Sequence, residues 1–170
     1  MHNQKGFSLI ELLIVVVIIG IIAAIAIPNL LASRRAANEA STISGLRTYH
    51  SAQMTYASTY GGGEYAGSTG ALTTQSFTDL AAVNVLDSEL GSGRKSGYNF
   101  IGGRTPLSAG GPAQFAGYAY MTTPFGVTAT GTRVFNIMTD GVLTTGPYGA
   151  IVTLVSGNTI TSTGGVALAN

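Results

Sequence analysis

Few side chains in this sequence can do chemistry, and the one in the least hospitable place is Glu11. It is the only charged residue between Lys5 and Arg34, and from residue 12 to residue 27 every position except Gly20 is aliphatic. A carboxylate inside so apolar a run costs about 2.5–3.5 kcal/mol to place in a bilayer, so it is expected to have a partner and a task. A cation brought to the same depth would be that partner. A glutamate that snorkels to the interface is the alternative reading.

The other titratable groups are sparse. His2 and His50 are the only histidines and there is no cysteine, so a nucleophilic triad lacks a positioned base, zinc lacks ligands and disulfides are excluded. His50 reads as a structural or surface histidine. Asp87 and Glu89 are close enough to share an ion, though a solvated acidic turn has the same composition. Arg94, Lys95 and Arg104 read as a small basic loop cluster, suited to DNA, to a surface, or to solvent alone. A net charge of +1 gives bulk electrostatics no hold on a nucleic acid or an acidic substrate. Gly102-Gly103 and Gly110-Gly111 read as loops; neither precedes a helix pattern with a lysine, so they cradle no phosphate. No enzyme, cofactor, metal or specific nucleic-acid partner is expected.

The elements that position these residues follow from patterning. A bilayer core of roughly 30 Å needs about 20 helical residues. Residues 7–33 exceed that, and the 22 positions from 12 to 33 are uncharged. Pro28 falls inside the helical pattern and Gly20 is a second weak point, so a kink or a locally opened helix is expected there. Beyond Pro28, Ile43, Leu46, His50, Gln53 and Ala57 recur at spacings of three and four, flanked by Tyr49, Tyr56 and Tyr60. His50 and Gln53 make this a weak stripe, suited to half-burial under a sheet. Gly61-Gly62-Gly63 is a strong stop. A helix over residues 7–60 would approach about 80 Å at 1.5 Å per residue, too long for a compact domain of this size.

A long connection follows, with a short helix expected over 78–86 and Asp79 in its first turn. Strands are expected over 98–101, 115–122, 133–139 and 142–144, with Asp140-Gly141 as a hairpin turn between the last two. A second hairpin is expected over 150–155 and 159–163, turning near Gly157-Asn158. Four to six antiparallel strands packed on the second half of the helix make an α+β head over 61–170.

The apolar segment keeps two further readings. With Lys5 as a positive n-region, Ala24-Ile25-Ala26 fits the small-x-small cleavage pattern of a secretory signal peptide, although the run is long for one and contains Glu11. As a plain transmembrane anchor it needs no processing at all. Arg34 and Arg35 follow the span while Lys5 alone precedes it, so counting positive charges sets no clear orientation.

Gly6-Phe7-Ser8-Leu9-Ile10-Glu11, followed by the long apolar helix with Gly20 and Pro28, resembles the processing site of type IV prepilins. The resemblance extends from Lys5 to about Tyr60; "KSGYNF" and "TRVFNIMTDGVL" are similar, less specifically, to heads of bacterial pilins and pseudopilins. It implies a leader over 1–6, cleaved between Gly6 and Phe7 by a prepilin peptidase that also N-methylates Phe7. It further implies a type IV pilin-like α+β fold and an inner-membrane precursor with residues 7–33 as span and later filament core. The partners implied are an assembly platform in that membrane and other copies of the chain in a helical filament. The new Phe7 amine is a cation at the depth of Glu11, so Glu11 of one subunit is expected to neutralise Phe7 of another. In that family the stretch between such a glycine and proline can melt in the filament; an ordinary kink at Pro28 is equally compatible. The chain departs from pilins that close their last loop with a disulfide. The function the resemblance implies is the major structural subunit of a type IV pilus, with a major pseudopilin of type II secretion or a minor pilin as the alternatives of the same design.

Overall fold

The computed structural model describes residues 6–107, 111–149, 152–156 and 159–168. The chain divides into two units, Met1–Arg34 and Arg35–Asn170. One helix, α1 (Leu9–Thr59), contributes to both.

In the first unit α1 starts behind Ser8, whose carbonyl accepts from the Leu12 N–H at 3.3 Å. Its large aliphatic side chains from Leu12 to Leu30 are exposed. The helix is long and apolar enough to cross a membrane. It runs without interruption through Gly20 and Pro28, so neither residue ends the element.

In the second unit the helix buries Glu39, Thr42, Gly45, Leu46, Tyr49, Ala52 and Gln53, a face spaced at threes and fours. This corrects the expected stripe. Tyr49 is at its centre rather than its flank, Gln53 is fully buried rather than half-buried, and Tyr60 is exposed. The glycine stop is as expected. Gly62 turns left-handed at φ +58°, and the N–H groups of Gly61 and Gly63 cap the carbonyls of Tyr56 and Ala57.

Helix α2 (Gln75–Ala82) lies earlier than the expected 78–86, and Asp79 is mid-helix rather than in its first turn. The stop comes at Asn84, which adopts φ +58°. Asparagine is one of the few residues with a Cβ that adopt the left-handed region readily, so it ends the helix short of Leu86. A further turn, α3 (Ser88–Gly91), is capped by Asp87, whose Oδ1 accepts from the Leu90 N–H at 2.9 Å.

The head carries a six-stranded antiparallel sheet of β1 (Arg94–Lys95), β2 (Tyr98–Thr105), β3 (Gln114–Met121), β4 (Arg133–Met138), β5 (Leu143–Pro147) and β8 (Val166–Ala167), in that spatial order. Strands β6 (Val152–Ser156) and β7 (Thr159–Thr163) pair as a separate hairpin, as expected; its turn at Gly157-Asn158 lies outside the described residues. Asp140-Gly141 does join β4 to β5, with Gly141 at φ +76° and Asp140 Oδ1 accepting from the Val142 N–H at 2.9 Å.

Gly102 and Gly103, read as a loop, are inside β2, which runs four residues beyond the expected end. The reason is tertiary. Gly102 and Gly117 face each other across β2 and β3, and the Tyr49 ring lies against both. A Cβ on Gly117 would come within 2.7 Å of the ring, and one on Gly102 would overlap the phenol oxygen. The tyrosine needs a glycine floor, and a strand pair supplies it. Phe77 stacks on the same ring at 4.2 Å, Phe115 meets it edge-on at 5.8 Å, and Phe100 and Phe135 complete the aromatic core.

Candidate functional site

The residues singled out at the amino terminus lie within the first turn of α1 and its approach. Gly6 and Phe7 precede the helix, and Phe7 is 90% exposed. Lys5 and the rest of the expected leader, except Gly6, lie outside the described residues. Glu11 is exposed and turns back along the chain, its Oε2 accepting from the Ser8 N–H at 2.9 Å. This is half of a capping box, in which a Glu three residues beyond the N-cap satisfies an orphan backbone donor. Ser8-Leu9-Ile10-Glu11 spells that signal in the sequence.

The cap matters chemically. It holds the carboxylate at the helix end where unpaired N–H groups concentrate positive potential, so part of its negative charge is balanced locally. Among the described residues no cation pairs with it. Phe7, Glu11, Leu12, Ile14 and Val15 line a shallow recess. Gly20 and Pro28 are placed two and more turns further along and take no part in it.

The head uses its charges for structure. Glu39, passed over in the sequence, is buried and accepts four bonds: from the Thr132 N–H and Oγ1 at 2.7 Å each, and from Arg133 Nε at 2.9 Å and Nη2 at 2.8 Å. Burial pushes its pKa up, but the bonds from Thr132 and the Arg133 guanidinium outweigh this and leave it below the usual carboxylate range. A signal existed: Glu39, Thr42, Leu46, Tyr49 and Gln53 continue one pattern of threes and fours.

The expected basic cluster is not one. Arg104 pairs with Glu64 and donates to the Gly67 carbonyl, whereas Arg94 donates to Asn99 and Lys95 lies 3.9 Å from Asp87. They stand at opposite ends of β2, because that strand is longer than the sequence implied. Asp87 spends its carboxylate on the α3 cap and on Lys95, which leaves the pairing with Glu89 around an ion without support. His50 is half-buried, with Nε2 3.3 Å from the Thr139 carbonyl and its ring 5.4 Å from Phe115, a packing role as expected.

A family match falls on the same amino-terminal segment. Residues 1–27 match the family described as the prokaryotic N-terminal methylation motif. The type IV wide pilus major component PilA4 of Thermus thermophilus is 67% identical over 39 residues, 23% of this chain and 30% of that protein. The type IV major pilin protein PilA of Myxococcus xanthus is 44% identical over 54 residues, 32% of this chain and 24% of that protein. The type II secretion system core protein G of Klebsiella pneumoniae is 37% identical over 46 residues, 27% of this chain and 33% of that protein. The chain thus spans 24% to 33% of the length of these relatives. No solved structure matches it.

Proposed function

From a chain that carries the prepilin-like N-terminal methylation motif shared by type IV pilins and type II secretion pseudopilins, we propose the repeating structural subunit of a type IV pilus. The observation that carries the reading is the match of residues 1–27, which hold Gly6, Phe7 and Glu11, to the N-terminal methylation motif, and the 67% identity over 39 residues with a wide-pilus major component supports it. In this reading residues 1–6 are a leader, residues 7–33 cross the inner membrane, and residues 61–170 with the second half of α1 form the head. A prepilin peptidase cuts between Gly6 and Phe7 and N-methylates Phe7, and an assembly platform in the membrane moves subunits into a helical filament outside the cell.

Assembly is where Glu11 acts. The new Phe7 amine of an entering subunit is a buried cation, and the recess beside Glu11 of its neighbour offers a carboxylate and an aliphatic wall. Either charge without the other is expensive inside a stack of apolar helices, so the pair fixes the axial register. The capping bond to the Ser8 N–H keeps the carboxylate ordered until the amine arrives. Gly20 and Pro28 mark the stretch that can open as helices pack.

The test is electron microscopy of sheared surface filaments with mass spectrometry of their main subunit. A mature chain beginning at methylated Phe7 is expected; a main subunit beginning at Met1, or filaments lacking this chain, overturns the reading. A second reading, the major pseudopilin of type II secretion, is favoured by four relatives that are core protein G. It predicts that deletion of the chain stops protein secretion while surface filaments persist.

A further inference from the structure

The loop over residues 122–132, between β3 and β4, is built to display apolar side chains. Its base is stapled to Gly97, whose carbonyl accepts from the Thr122 N–H at 2.9 Å and from Thr130 Oγ1 at 2.7 Å. Its tip is held by one guanidinium. Arg35 donates through Nε to the Ala129 carbonyl and through Nη2 to the carbonyls of Gly126 and Val127, each at 3.2 Å. Asn38 Nδ2 adds a bond to the Thr130 carbonyl at 2.8 Å. With the backbone turned inward, Phe125 and Val127 point out, 73% and 75% exposed. Tyr148, itself 46% exposed, meets the Phe125 ring edge-on at 5.7 Å.

We propose that this loop is a membrane-interface anchor: Phe125 and Val127, with Tyr148 beside them, enter the boundary between headgroups and acyl chains of the bilayer that α1 crosses. The proposal rests on the reading of residues 7–33 as a membrane span. Covalent continuity then sets the depth. Arg35 is two residues beyond Ser33, about 3 Å of helical rise, so it stays at the level where the apolar run stops. The loop tip is bonded to that same side chain. Aromatic side chains concentrate at this level of a bilayer, because one end of the ring is apolar and the surroundings are wet. Arg34 and Arg35 themselves suit the phosphates there. A contact between heads could use any face of the head, whereas these apolar groups are tied to the residue that marks the end of the span. The lipid surface is therefore the occupant the geometry favours over a second copy.

The chain has no tryptophan, so a single introduced one reports its own depth. Phe125→Trp, Leu13→Trp and Val166→Trp variants of the full chain are each reconstituted in phosphatidylcholine–phosphatidylglycerol vesicles, with and without lipids brominated at defined acyl positions. Leu13→Trp reports the span and is expected to be quenched by deep bromines. Val166→Trp, at a site 72% exposed on β8, is expected to emit as in water and escape quenching. Phe125→Trp is expected to shift to the blue and be quenched by bromines near the headgroup. Adding Arg35→Ala to it should abolish that quenching and leave the Leu13→Trp signal unchanged. Phe125→Trp emission like that of Val166→Trp, with Leu13→Trp quenched, overturns the anchor alone. An unquenched Leu13→Trp overturns the span and the anchor with it. A blue shift without bromine quenching that grows with protein-to-lipid ratio overturns the anchor in favour of a contact between copies.

Discussion

Arg133, the first residue of β4, closes as a fork on Glu39 of α1 from 94 positions away, Nε and Nη2 both reaching Oε2. The pair ties the sheet to the helix at one end of the head, and Thr132 completes it by donating twice to the other carboxylate oxygen.

Glu39→Ala leaves a guanidinium and a backbone N–H without their acceptor, and is expected to cost about 1.5–3 kcal/mol, the range for bonds to a charged group. Because the folded pKa of Glu39 is lowered, its contribution is fully present above the ordinary carboxylate range and is lost as pH falls through the folded value. Glu39→Gln keeps acceptor shape but cannot titrate. Urea midpoints compared at neutral and acidic pH should therefore fall more for the wild type than for Glu39→Gln. Equal falls would show that Glu39 does not contribute to the acid sensitivity.

The glycine floor makes a contrast between two substitutions to alanine. At Gly117 the new methyl would meet the Tyr49 ring at 2.7 Å, so helix and sheet must part, at about 1–3 kcal/mol. At Gly45 it would meet Phe100 and Leu90 at 3.4 and 3.5 Å, ordinary contact, while gaining up to about 1 kcal/mol of helix propensity. Thermal unfolding should show a lower midpoint for Gly117→Ala and an equal or higher one for Gly45→Ala. A reversed order would remove the Tyr49 seat from the account.

Tyr49 gives the head an alkaline limit. Burial pushes its phenol up to about 12, against hydrogen bonds from Ser76 and Gln53 that pull the other way, and burial raises Tyr98 as well. An acid whose folded pKa lies above its unfolded value stabilises nothing below that unfolded value, near 10 for tyrosine, and costs stability as pH rises past it. Unfolding followed by circular dichroism should begin above about pH 10, together with a cooperative rise in tyrosinate absorbance. Tyr49→Phe, which removes one of the three raised phenols, should shift the onset upward. An unchanged onset would place the alkaline limit elsewhere.

Glu11 has two duties that substitutions separate. Glu11→Val removes charge and cap, Glu11→Gln removes charge and keeps an acceptor for the Ser8 N–H, and Glu11→Asp keeps charge with shorter reach. Insertion into the membrane should be unharmed or improved in the valine variant, since no charge is buried. Filament yield at matched membrane levels should collapse for valine and glutamine alike and be intermediate for aspartate. Removal of the leader should persist in all three. A glutamine variant that assembles like the wild type would reduce Glu11 to a helix cap.

Local sequence is decisive wherever neighbours along the chain suffice. The apolar run, the motif around Gly6 and Glu11, the glycine stop after Tyr60 and the Asp140-Gly141 turn are local, and each is in place. The failures share the opposite property. The duties of Asp87 were open, an ion or solvent, because the cap it makes and the lysine it faces are known only once α3 and β1 exist. Gly102 looked like a loop because a glycine is a turn signal unless a ring 53 positions earlier needs its missing side chain. Arg104 looked like a neighbour of Arg94 until β2 extended between them. The tertiary structure decided these residues because a polar or missing side chain has no fixed meaning in a local window. Its free energy depends on what long-range packing brings within hydrogen-bond or van der Waals reach.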